Sequence, residues 1–118
     1  MPPRLIAVAG PYSAPTEEGR RRNLAAMHDA AAAVRRLGHV PVIGMDVALP
    51  VVDRLHPEES PERYAAIMEI SLAVVSRCDA LLLIAESPGA NRERDLIASL
   101  GRPVYRSVEE IEAIGKAE

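Results

Sequence analysis

The chain has 118 residues, 48% of them apolar, and a formal net charge of -3. That suits one globular domain around a single core and excludes a disordered chain. Three Tyr are the only aromatics and no basic run extends beyond Arg20-Arg21-Arg22, which argues against nucleic-acid binding.

The single cysteine, Cys78, excludes an internal disulfide and a cysteine-rich metal site. His28, His39 and His56 are too widely spaced for a metal-ligand pattern, and no segment is long enough for a membrane span. The expectation is a cytoplasmic protein, off the membrane, with no metal and no cofactor.

Leu5 to Ala9 is an apolar run ended by Gly10-Pro11 and reads as a buried strand. A loop follows, and then a helix whose inward face carries Leu24, Met27, Ala31 and Val34. Thr16 is its expected N-cap and Gly38 its stop. Val40 to Ile43 reads as a second strand that lies at a sheet edge or starts at Pro41, because Pro41 donates no hydrogen bond. Residues 44 to 61 hold Gly44, Pro50, Pro57 and Pro61 and read as a long connection.

Ser60-Pro61 starts the next helix, expected over 62 to 77. Its apolar residues form two stripes, Tyr64, Ile67, Ile70, Val74 and Met68, Leu72, Val75, so the helix is deeply buried or faces a second subunit. Asp79 precedes a third strand over 80 to 85, where it is expected to cap or pair. Residues 87 to 91 read as a turn leading into a helix that ends at Gly101. A short strand at 103 to 105 and a capped helix from Ser107 complete the chain.

Strands alternating with helices imply a three-layer α/β sandwich with a four- to five-stranded parallel sheet. Ligands of such sheets bind beyond the carboxyl ends of the strands. Two loops at that end carry chemistry, Gly10-Pro11-Tyr12-Ser13 and Glu86 to Glu93.

Glu93 shares a helical face with Leu96, Ile97 and Leu100 and should point inward, whereas Asp95 should face solvent. The expected state is a partly enclosed, ionised carboxylate beside free backbone N–H groups. Such a group suits a nucleophile or a stabiliser of a cationic centre, for example a glycosidic carbon with oxocarbenium character. Ser87 and the N–H groups near Gly89 could hold an anion. The plainer alternative is that Glu93 supports the first helical turn or pairs with Arg92 or Arg94.

The segments IAVAGPYSA, RRLGHVPVIG, SRCDALLLIAESPGANRE and LGRPVY, in this order, resemble the nucleoside 2-deoxyribosyltransferase-like superfamily. The likeness covers nearly the whole chain and is greatest to its small uncharacterised bacterial and phage branch. That superfamily includes 2′-deoxynucleoside 5′-monophosphate N-glycosidases. The resemblance implies a flavodoxin-like or Rossmann-like fold, with active sites near the interface of a homodimer or homotetramer. It implies N-glycosidic bond cleavage or deoxyribosyl transfer on a nucleoside or nucleotide. It also implies Glu93 as nucleophile, Ser87 on the 5′-phosphate, and a pocket lined by Gly10, Pro11, Tyr12, Ser13, Gly89 and Ala90.

Tyr12 is expected to pack on the base or bond Glu93. Arg92, and one of Arg20 to Arg22 or Asn23, are further phosphate ligands to expect. The chain departs from the family where a helical Asp handles the leaving base, eight residues before Asp79. Ser71 stands there. Asp46 is the substitute acid to consider, and loss of the acid would leave a nucleotide-binding protein without chemistry.

Overall fold

The computed structural model describes residues 2–114. Strand β1 (Leu5–Ala9) is central. On one side it pairs with β2 (Val40–Val42), on the other with β3 (Ala80–Leu83), and β4 (Val104–Tyr105) completes the sheet. The order is β2-β1-β3-β4 and every pair is parallel.

Alternate residues of a strand point to opposite faces, and both faces here are covered. Ile6, Val8, Ala80 and Leu82 meet Met27 and Val34 of α1 (Glu17–Arg36). Ala7, Ala9, Leu81 and Leu83 meet Val75 of α3 (Pro61–Val75) and Ala90 and Ile97 of α4 (Pro88–Ser99). Burial on both faces explains why these strands read as continuous apolar runs. The result is the expected Rossmann-like three-layer sandwich, with four strands.

Element ends follow the sequence closely. Thr16 Oγ1 accepts the Gly19 N–H at 3.0 Å, and acids and bases sit at the matching ends of α1. Gly38, with φ +98°, lets the chain leave α1, and a Cβ there would also stand 2.6 Å from Ile114. Ser60 caps α3 through the Arg63 N–H, with Pro61 at the first position. β2, bearing Pro41, lies at the sheet edge. Asp79 Oδ2 accepts the Leu5 N–H at 2.8 Å and fastens β3 to β1.

Three elements differ from expectation. Residues 44 to 55 are not a loop but α2 (Gly44–Leu55), which buries Ala48, Leu49 and Val52 against Ile67 and Met68 of α3. Pro50 inside the helix hid it, since proline removes one backbone bond and ordinarily argues against a helix. Packing on α3 outweighs that loss. Helix α4 starts at Pro88, so the expected turn is already helix. The last expected helix is only a 3-10 turn over Val108–Glu110, although Ile111 is buried. Leu100, expected to face inward, is 45% exposed.

Candidate functional site

Because β1 lies between β2 and β3, the loops leaving β1 and β3 diverge at the carboxyl ends of the strands. A cleft of about 260 Å³ opens there. Gly10, Pro11, Tyr12 and Ser13 line it from the first loop, and Ser87, Pro88, Gly89, Ala90 and Glu93 from the start of α4. Helix α2 contributes Gly44 and Met45, and α3 contributes Arg63, Tyr64, Ile67 and Met68. Two of the three tyrosines, Tyr12 and Tyr64, lie on this cleft.

The first loop is tied down by α1. Asn23 Nδ2 donates to the carbonyls of Tyr12 and Ser13 at 3.0 and 3.3 Å, and Arg20 Nη1 donates to that of Ala14 at 3.1 Å. Arg20 and Asn23 thus hold the loop in place. On the other side, Ser87 Oγ accepts the Ala90 N–H at 3.1 Å and caps α4. The start of α2, by contrast, has no side-chain cap. Two helix N-termini therefore line the cleft, and their partial positive charge favours an anion.

Glu93 is the one buried acidic side chain among the described residues, 5% exposed. It occupies the second turn of α4, beyond the free N–H groups of the first. Its environment therefore differs from the expected one. Burial raises its carboxyl above the usual carboxylate range, and a hydrogen bond from Ser71 lowers it in part. That bond runs from the fully buried Ser71 hydroxyl to Oε2. It takes the place of the expected bond from Tyr12. The pairing of Glu93 with Arg92 or Arg94 is not formed: Arg94 instead lies 3.0 Å from Asp95 and 3.7 Å from Glu86.

Two expected residues lie outside the cleft lining. Asp46 is on α2 and pairs with His28 at 2.9 Å, both exposed. Arg92 is exposed on the outer side of α4. His39 is fully buried between the Arg4 N–H and the Glu112 carbonyl, a structural placement. Cys78 is a buried thiol pushed up to about 11, mainly by desolvation.

Sequence reasoning passed over Arg63, which is 8% exposed. Its guanidinium donates to Asp53 and to the His56 carbonyl, both at 2.9 Å. It thereby fastens the end of α2 to α3 while lining the cleft. The signal was present as a four-residue spacing, since Arg63, Ile67, Ser71 and Val75 all lie on the buried face of α3. No group of His, Cys, Asp and Glu suited to a metal occurs among the described residues. None of the described helices is long and apolar enough to cross a membrane. No protein-family model matches the chain, and no curated protein does.

Proposed function

We propose that the protein cleaves the N-glycosidic bond of a nucleoside or nucleoside 5′-monophosphate, or transfers its deoxyribosyl group, through Glu93. The observation that carries this reading is the buried Glu93 carboxylate facing a cleft at the switch point of the sheet. A buried carboxylate close to helix N-termini suits a substrate with a positively charged reacting carbon and an anionic group. The sequence resemblance supports the same chemistry.

In the proposed step, a Glu93 oxygen attacks the anomeric carbon. The bond from that carbon to the base breaks, and its electron pair leaves with the base, which takes up a proton. Water, or a second base, then opens the glycosyl–Glu93 ester. Glu59, Tyr12 and Tyr64 are the cleft-lining groups able to supply the proton. Ser87 and the first turn of α4 serve the phosphate, and the tyrosines flank the base. The proposed assembly is a homodimer or homotetramer in the cytoplasm.

A panel of nucleosides and nucleoside 5′-monophosphates, with free base measured by chromatography, tests the reading. Base release that falls by about 10³-fold or more in Glu93→Gln is expected. Absence of release from every substrate, or full activity of the variant, would overturn it.

A second reading is a nucleotide-binding protein without turnover. It is favoured by Ser71 standing where an acid is expected and by the high exposure of the remaining cleft carboxylate, Glu59, at 82%. Tight calorimetric binding with no base release would select it, and a sugar adduct on Glu93 would exclude it.

A further inference from the structure

We infer that Ser71 is a positioning residue whose hydroxyl, confined by Gly44, grips one oxygen of the Glu93 carboxylate and leaves the other for the cleft. The inference rests on the reading of Glu93 as the reacting carboxylate.

Ser71 is fully buried on the inward face of α3, between Ile67 and Val75. A hydroxyl without access to water needs a partner, because an unsatisfied one is costly. Its partner is Glu93 Oε2, across from α3 to α4. The first residue of α2 explains why the hydroxyl stays there. A Cβ on Gly44 would overlap Ser71 Oγ and stand 3.0 Å from Ser71 Cβ and 3.2 Å from its Cα. The absence of a side chain at Gly44 leaves room for the hydroxyl and little more, so three helices meet at one hydrogen bond.

The consequence for Glu93 is orientational. Among the described residues no hydrogen bond reaches Oε1, while Oε2 is held. The other titratable or charged groups of the cleft are Tyr12, Glu59, Arg63 and Tyr64, and Cys78 lies close enough for its thiol to sense the carboxylate. None of them donates to Glu93. Among the described residues, Ser71 is thus the single side-chain donor that favours its anionic form against burial.

The test is Ser71→Ala, a smaller residue that the site can accommodate, with its fold checked by circular dichroism. The Glu93 side-chain carboxyl is titrated by carbon-detected NMR in the free protein. The midpoint is expected to move up in the variant. On a nucleotide that the native protein cleaves, kcat/KM is expected to fall about 10- to 100-fold, the loss of a hydrogen bond to a charged group. The acid limb of the pH–rate profile should move up with the midpoint.

A merely space-filling serine would lower the melting temperature and leave both the midpoint and the acid limb in place, and that result overturns the proposal. The titration needs no substrate, which separates the two readings. Cleavage with an unmoved midpoint overturns the role of Ser71 alone. A moved midpoint without cleavage of any substrate supports the grip on Glu93 and overturns the glycosidase reading.

Discussion

Removing a carboxylate from water disfavours its charged form, and a neutral isostere in the same place escapes that cost. Glu93 has this problem: its carboxyl is raised by burial, with only Ser71 opposing the shift. In the folded state its affinity for a proton exceeds that of the unfolded chain. The linked stability is fully present below the unfolded pKa, about 4.3 for a free Glu, and is lost as pH rises through the folded value. Glu93→Gln should therefore melt at a higher temperature than the native protein at neutral pH. The gap should close as pH falls below the ordinary carboxylate range, and a gap that does not vary with pH would remove this account. Catalysis has the opposite sign, because a nucleophile must be ionised. The acid limb of the rate should lie above the ordinary Glu value and should follow the NMR midpoint of Glu93.

Helices α2, α3 and α4 form the site where their packing leaves room for little but hydrogen. Gly44→Ala would press a methyl group on Ser71 Oγ and on the α3 backbone. Overpacking of this kind costs about 1–3 kcal/mol, measurable as a lower urea midpoint. Activity should fall with it, since the methyl displaces the hydroxyl that holds Glu93. Ser87→Ala removes the cap of α4, and a loss of about 1 kcal/mol is expected in the same assay. The inward Glu93 and the cap at Ser60 were legible in the sequence because helical spacing and capping chemistry are local. Ser87 was expected at the start of a turn before the helix, and its capping of α4 came with the structure. Helix α2 was not legible, since Pro50 lowers its local preference and only contacts with the distant α3 compensate. Arg63 was missed, and Ser71 was read as the place of an absent acid and not as the partner of Glu93, for a related reason. Both lie on the buried face of α3 at the same four-residue spacing as Ile67 and Val75, but a search for apolar stripes passes over polar residues.

At the level of the whole molecule, the alternation of strands and helices was enough to point to the carboxyl end of the sheet, where the cleft opens. It could not show which helix closes the cleft, because that depends on α2 crossing α3. The same crossing turns a row of apolar side chains outward. Val47, Val51 and Leu55, four residues apart on α2, are 45%, 48% and 66% exposed. Isolated apolar residues on a surface are ordinary, whereas an aligned row on one helix has the pattern of a surface awaiting cover. If α2 is the contact in the proposed homo-oligomer, a charge in mid-row should separate the subunits. Val51→Asp is exposed enough to leave the fold intact, which circular dichroism would verify. Sedimentation should then give a dimer or tetramer for the native protein and a monomer for the variant. A native protein that sediments as a monomer would remove the assembly from the proposal. A variant that keeps the native mass would move the contact to another face, away from the helix that borders the cleft at Gly44 and Met45.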